Sequence, residues 1–288
     1  MSVLVVGDLA TDVVAVLAGA PAPASDRPAA ITLRGGGAGA NVAVHLARLG
    51  TPATLAGCVG NDAAGAALVA ELAAAGVRTA VRTAPGAATG TIVSLVEPDG
   101  QRSMLADRGA NLLLRSEDLP PLAPGDHLHL SGYALLDPGP RPAALAALAA
   151  AAAAGCTVSV DPASTGPLRA YSTARWLADT AGATLLLPNA EEAALLTGCA
   201  GPEEAARALA ARHPAVAVSL GADGALWASG GEVLHRPAHP ARVLDSTGAG
   251  DAFAAGLLAA WLAGRPPAEA LDAGLALAAT VVTRAGAR

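Results

Sequence analysis

Lysine is missing altogether: all 18 basic residues of the 288-residue chain are arginine. Its absence removes a phosphate-binding lysine of the Walker type, a Schiff-base nucleophile and the lysine of the protein-kinase fold. Aromatics are almost as scarce, at three Trp, two Tyr and one Phe, too few rings to stack on the bases of a nucleic acid. The net charge of -6 and isolated arginines such as Arg48 and Arg78 leave no basic face for a polyanion. The three cysteines, Cys58, Cys156 and Cys199, are far apart, lack C-x-x-C spacing and sit in or beside apolar segments. They are expected to be buried thiols in a reducing compartment. Long apolar runs are also absent, because the longest, residues 142–155, falls short of the ~20 needed to cross a bilayer. The chain opens on an apolar strand without a basic leader, so a soluble, cytoplasmic protein with neither nucleic-acid nor membrane partner is expected.

What is present has a clear order. Apolar β-branched runs alternate with Ala- and Leu-rich stretches from end to end, the pattern of a mainly parallel sheet covered by helices. Strands are expected at Val3–Val6, 53–59, His127–Ser131, Thr157–Asp161, 184–187 and 215–220. Helices are expected at 41–49, 62–75, 143–154, Ala249–Leu262 and 267–283. Two regions break the rhythm: 12–17 with 30–34, and 90–97 with 101–106, are short alternating strands with no helix between them. A turn signal, Glu97-Pro98-Asp99-Gly100, joins the second pair, and an Ala- and Pro-rich loop at 19–30 joins the first. They predict an antiparallel flap, inserted in one domain spanning 1–288 and able to close over a ligand. Its exposed edges need cover, which pairing across a two-fold would supply, so a homodimer through the flap is expected.

Chemistry concentrates where glycines precede helices. Asp245-Ser246-Thr247-Gly248-Ala249-Gly250-Asp251 runs straight into an amphipathic helix. Small residues there leave backbone N–H groups open at the positive end of the helix dipole, a ready anion site. Asp251 in the first turn is suited to taking a proton from a hydroxyl that attacks a phosphoryl group; as a mere complement to the dipole it would be worth only ~0.3–1 kcal/mol. Upstream, Arg34-Gly35-Gly36-Gly37-Ala38-Gly39-Ala40-Asn41 also leads into a helix. A dinucleotide loop would instead follow the first strand near Gly7, which argues against a Rossmann dehydrogenase. These glycines admit a ligand close to the backbone, and Asn41 either offers donor and acceptor to hydroxyls or caps the helix. In Pro188-Asn189-Ala190-Glu191-Glu192, the residues Asn189 and Glu192 are spaced either to steady a hydrated Mg²⁺ or to close a capping box, and both readings stay open. His127 and His129 share a strand face and His235 and His239 a Pro-containing loop, without a third ligand, so no structural zinc is expected. Trp176, Trp227 and Trp261 are read as packing residues.

On GGGAGANVA and DSTGAGDAF, in that order, the chain resembles the PfkB/ribokinase family of carbohydrate kinases from Val3 to Gly286. The resemblance implies a ribokinase-like three-layer α/β/α sandwich with a mainly parallel central sheet and a small β-sheet lid. It further implies ATP-dependent, Mg²⁺-assisted transfer of the γ-phosphate to a primary hydroxyl of a small sugar or sugar acid. On matching positions, Asp251 would be the general base and Gly248, Ala249 and Gly250 the anion hole. Asp12, Gly36, Gly37 and Asn41 would form the sugar pocket, and Asn189 and Glu192 would serve magnesium and phosphate. Ser219-Leu220-Gly221-Ala222-Asp223-Gly224 looks like the family's nucleotide loop, so that Ser219, Gly221 and Gly224, with Thr247, would meet the nucleotide. Asp245 and Thr247 match positions that in many members help bind K⁺.

Departures from the family pattern bear on substrate. Many members follow the aspartate matching Asp161 with D-x-N, whereas this chain reads Asp161-Pro162-Ala163-Ser164, and Ala38 stands where ribokinases proper often carry lysine. Arg108 lies near where acid-sugar kinases of the family present an arginine to a carboxylate; it is either that bidentate partner or a salt bridge at the lid edge. A nucleoside kinase of the family would need an aliphatic base pocket here, and a non-catalytic sugar or nucleotide sensor would have no use for Asp251.

Overall fold

Four consecutive apolar residues, Val3–Val6 (β1), are all buried, with Leu4 and Val6 entering one core cluster and Val3 and Val5 the other. Side chains alternate across a strand, so a strand apolar on both faces belongs in the middle of a covered sheet. Each such burial is worth ~1.5–3 kcal/mol. The computed structural model describes residues 1–19, 25–97, 102–284 and 286–288. In chain order the further strands are β2 (Ala10–Leu17), β3 (Ala29–Gly36), β4 (Ala53–Gly60), β5 (Arg78–Ala84), β6 (Thr91–Val96) and β7 (Arg102–Asp107). Then come β8 (His127–Ser131), β9 (Thr157–Asp161), β10 (Leu185–Leu186), β11 (Ala215–Ser219), β12 (Ala225–Ser229) and β13 (Glu232–Arg236).

Among the described residues the main sheet runs in the order β13-β12-β11-β10-β9-β8-β1-β4-β5, parallel from β11 to β5, with β12 antiparallel to both of its neighbours. Helices α1 (Ala38–Arg48) and α2 (Ala63–Ala74) cover one face. The other is covered by α3 (Gly132–Leu136), α4 (Arg141–Ala153), α5 (Thr165–Tyr171), α6 (Thr173–Asp179), α7 (Ala190–Thr197) and α8 (Pro202–Ala210). The chain then returns to the first face with α9 (Ala249–Leu262) and α10 (Pro267–Val281). The result is the expected three-layer α/β/α sandwich. A second sheet, β3-β2-β6-β7, has β2 and β6 parallel at its centre and antiparallel strands outside. Among the described residues no helix is long and apolar enough to cross a membrane.

Several elements depart from expectation for identifiable reasons. Helix α1 starts at Ala38 rather than 41, because its first N–H groups are satisfied from outside: Gly39 donates to Asp8 Oδ1 at 3.4 Å and Ala40 to the Asp8 carbonyl at 3.1 Å. Asn41 is therefore inside the helix and does not cap it. His235 lies in β13, which pairs with β12 across Gly230-Gly231, both with positive φ; Gly-Gly is a hairpin signal that the flanking runs were too short to reveal. Only Cys58 is fully buried, since Cys156 and Cys199 fall in turns after α4 and α7. The Glu97–Gly100 turn lies largely, and the 19–30 loop partly, outside the described residues.

Candidate active site

Parallel strands deliver their carboxyl ends to one edge of the sheet, where open α/β sheets bind ligands. Asp8 follows β1, Asp161 ends β9, Asn189 follows β10 and Ser219 ends β11. Opposite them stands the start of α9. Gly248 precedes that helix with φ +76°, and a Cβ there would overlap Ala287, so glycine alone fits the turn. The first-turn N–H groups of Gly250 and Asp251 have no acceptor within the helix, while Ala249 makes a 3.3 Å turn bond to the Ser246 carbonyl. Asp245 shapes the loop: its Oδ1 accepts the Thr247 N–H at 2.9 Å and hydroxyl at 2.7 Å, and its Oδ2 accepts the Gly286 N–H at 2.9 Å.

The two glycine segments meet through side chains. Asn41 donates its Nδ2–H to Asp251 Oδ2 at 2.7 Å. Gly37 has φ +93°, and a Cβ there would strike the Asp8 carbonyl, so this contact between α1 and the end of β1 requires glycine. Three cavities then follow one another. One of about 570 Å³ lies between the main sheet and the second sheet, lined by Asp12, Gly37, Asn41, Arg108 and Asp251 among others. A polar one of about 150 Å³ holds Asp161, Asn189, Glu192, Gly248, Gly250 and Asp251 in its wall. The third, of about 600 Å³, is mostly apolar and bounded by Ser219, Gly221, Gly224, Gly250, Phe253 and Val282. Asp251 lines the first two and Gly250 the last two. Gly36 lies against the Asp12 carboxylate, and Thr247 faces the 570 Å³ cavity rather than the apolar one.

Negative charge is in excess here. Burial pushes the Asp251 carboxyl well above the usual carboxylate range, with Asp161, Asp8 and Asp12 adding to the rise and the Asn41 hydrogen bond opposing it. Asp12 is raised to about 6, chiefly by burial, against the pull of Arg288. Asp161 and Glu192 also rise, burial again leading. Asn189 and Glu192 do form the reciprocal capping box, each accepting the other's N–H at 2.9 Å. Yet Glu192 is buried in the wall of the polar cavity with Asp251. Ala163, at the position of the family's D-x-N asparagine, has φ +73° and donates its N–H to Asp161 Oδ1 at 2.7 Å; backbone strain of this kind gathers at functional sites.

All of residues 1–288 match the family model of the pfkB family carbohydrate kinases. The chain belongs to that family. This kinase is 37% identical over 257 residues to a fructokinase of Klebsiella pneumoniae, covering 85% of this chain and 83% of that one. It is 35% identical to an ATP-dependent ribose-1-phosphate kinase of Halopiger xanaduensis, covering 88% and 82%. Among solved structures, adenosine kinase from Sinorhizobium meliloti superposes with a TM-score of 0.90 at 25% identity, covering 100% and 95%. A fructokinase from Vibrio cholerae O395, solved in a fructose-, ADP- and calcium-bound form, gives 0.84 at 29% identity, covering 100% and 94%. The kinase is accordingly a phosphotransferase of sugar or nucleoside hydroxyls.

Three groups of the site, Asp8, Tyr133 and Asp137, carry no sequence motif, and a fourth, Asp161, is marked only by a departure from the family pattern. Asp8, Tyr133, Asp137 and Asp161 all line the 570 Å³ cavity. Arg108 does reach that cavity, but as an ion pair: its Nε is 3.2 Å from Asp137, one terminal nitrogen is 3.8 Å from Asp8, and its guanidinium lies 4.1 Å from the centre of the Tyr133 ring. The signal for Asp8 and Asp161 was available, since each sits at the carboxyl end of a clear parallel strand. Asp137 and Tyr133 had none, because α3 is a five-residue helix without periodicity.

Proposed function

We propose that this kinase transfers the γ-phosphate of ATP to a primary hydroxyl of a small sugar, with Asp251 as general base and the N–H groups of Gly248, Ala249 and Gly250 as the anion hole, Ala249 exchanging its long 3.3 Å bond to the Ser246 carbonyl for a phosphoryl oxygen. What carries it is the position of the α9 start: Asp251 borders the 570 Å³ and 150 Å³ cavities, and Gly250 borders the 150 Å³ and 600 Å³ cavities. A sugar in the first and a nucleotide in the third would bring hydroxyl and γ-phosphoryl group together beside Asp251. Its carboxylate takes the hydroxyl proton as the oxygen attacks phosphorus, and the bond to the leaving ADP oxygen breaks in line. The first-turn N–H groups hold the phosphoryl oxygens, whose charge they match without reorganising.

Two orphaned acceptors support a hydroxyl-rich ligand: Asp12 Oδ1 and Asn41 Oδ1 are buried without a hydrogen-bond partner, and sugar hydroxyls are donors for both. Ser219, Gly221 and Gly224 would face the nucleotide. The raised pKa values of Glu192 and Asp161 fit a Mg²⁺ site, because a cation there would restore the ionised forms. Asn189 and Glu192 would hold such an ion through waters, as Mg²⁺ prefers, and the ion when bound would neutralise charge on the phosphates. K⁺ beside Asp245 and Thr247 would offset a charge that also raises Asp12. Two copies would associate through the second sheet, acting as the lid. A nucleoside as acceptor is the second reading, favoured by the aliphatic wall that Ile92, Met104 and Ala106 give the cavity.

The test is ADP release with MgATP across pentoses, hexoses, keto-sugar acids and nucleosides, in KCl and in NaCl. Asp251→Asn is expected to lower turnover of the accepted substrate by ~10²–10⁴ while ATP still binds. Wild-type turnover in that variant would overturn the assignment of the base.

A further inference from the structure

Given the sugar-kinase reading above, one buried base beside the sugar pocket is poorly matched to its contacts. The Arg288 side chain is 2% exposed, yet Glu71, whose carboxylate lies 3.0 Å from its Nε, is 44% exposed. None of the three guanidinium nitrogens has a hydrogen-bond partner among the described residues. A charge taken out of water is costly, and an exposed carboxylate is well served by water alone. We infer that Arg288 is a positioning residue of the sugar pocket: fixed on Glu71 at the base of the β2–β3 pair, its guanidinium holds the negative charge of the Asp12 carboxylate that accepts hydrogen bonds from the sugar. The chain delivers it there by contacts at each step. Gly286 donates its N–H to Asp245 Oδ2 at 2.9 Å, the Ala287 carbonyl lies 3.0 Å from His45 Nε2, and Ala287 stands where a Cβ on Gly248 would go.

Consecutive glycines of β3 make room for both charges. A Cβ at Gly35 would strike an Arg288 terminal nitrogen, and one at Gly36 would strike the Asp12 carboxylate. Successive side chains point to opposite faces of a strand, so Arg288 and Asp12 flank β3 with its backbone between them. The guanidinium nitrogens and Asp12 Oδ1 are all buried, and attraction between buried charges is weakly screened. Asp12 needs that support. Burial first, then Asp8 and Asp245, raise its pKa to about 6, and Arg288 opposes them. Arg34 stands across from Asp12 on β3, while Arg108, Asp137, Asp161 and Asp251 share its cavity. On the far side, Glu71 of α2 and Arg48 of α1 are the charges around Arg288. An ionised Asp12 accepts from sugar hydroxyls at the oxygen that now has no partner, and protonation weakens it as an acceptor. KM for the sugar therefore rises as pH falls through the Asp12 pKa.

The experiment measures KM for the accepted sugar, KM for ATP and kcat from pH 5 to 8, at fixed KCl and MgCl₂, in wild type, Arg288→Gln, Arg288→Lys and Glu71→Gln. In wild type the sugar KM is expected to rise below about pH 6. Arg288→Gln moves that rise to higher pH by roughly half to one unit, and Arg288→Lys, which keeps the charge, returns it toward wild type. KM for ATP and the acid limb of kcat keep their pH profiles. Glu71→Gln, on a side chain exposed enough to spare the fold, releases Arg288 from its other acid and moves the rise to lower pH; it decides the matter by itself if Arg288→Gln does not fold. A purely structural staple would raise KM at every pH without moving the midpoint, and that result in Arg288→Gln, or an unmoved midpoint in Glu71→Gln, overturns the role of Arg288. A wild-type sugar KM that is flat from pH 5 to 8 instead overturns the placing of Asp12 against the sugar, and this inference with it.

Discussion

At the scale of single residues, the contact between Asn41 and Asp251 joins positions 210 apart in the chain and tunes the carboxylate proposed as base. Burial and neighbouring aspartates raise its pKa, and the Asn41 N–H, which bonds best to the ionised form, holds it down. A base must be ionised to act, so activity rises with pH through this pKa. Removing the Asn41 donor raises the pKa further and moves the acid limb to higher pH. A hydrogen bond to a charged group is worth ~1.5–3 kcal/mol and one pH unit is ~1.4, so Asn41→Ala is expected to move the acid limb of kcat by roughly 1–2 units. Measuring kcat at saturating sugar from pH 5 to 9 checks this, and an unmoved limb would show that another group controls the rate. Asn41 and Asp251 were legible in the sequence because glycines before a helix announce themselves locally. Their mutual bond was not, because nothing in either segment encodes the distance to the other.

At the scale of elements, the connections between the two sheets converge on one side chain. Asn111 accepts the Leu9 N–H at 2.9 Å, and its Nδ2 donates to the Leu9 carbonyl at 2.7 Å and the Arg108 carbonyl at 2.9 Å. A Cβ at Gly90 would also overlap it, and Thr11 donates to the Gly90 carbonyl at 2.8 Å. Thus the points where the chain enters β2, enters β6 and leaves β7 are fixed together, next to Asp8 and Arg108. Asn111→Asp keeps the acceptor and loses both donations, leaving the buried Leu9 carbonyl unpaired at roughly 1–3 kcal/mol, while the Arg108 carbonyl keeps the Asn111 backbone N–H at 3.0 Å. KM for the sugar is expected to rise more than KM for ATP, with a lower denaturation midpoint. Equal changes in both KM values would mean that the clamp serves only stability. Strands β1, β8 and β9 and helix α9 fall where periodicity placed them, since each carries its own hydrophobic pattern. The start of α1 escaped because its cap comes from Asp8, on another element.

At the scale of the whole molecule, the second sheet presents two different faces. Cross-strand register puts Asp12, Ile92 and Ala106 on the face toward the cavity, with Met104 opposite Ser94. The opposite face carries Val13, Leu33, Ile31, Val93 and Leu105, which the same registers place side by side. There Leu33 is 70% exposed, Ile31 61% and Leu105 60%, although burying such a side chain is worth ~1.5–3 kcal/mol. A contiguous apolar face turned away from the site is what a partner covers, and a two-fold pairing would place the same residues of a second copy against it. Light scattering is expected to give twice the mass of the chain for wild type. Leu33→Arg would set like charges against each other across the two-fold and return the mass of one chain, with the fold retained by circular dichroism. A wild-type monomer at every concentration would leave this face without its proposed partner. A dimer untouched by Leu33→Arg would move the interface elsewhere on the molecule.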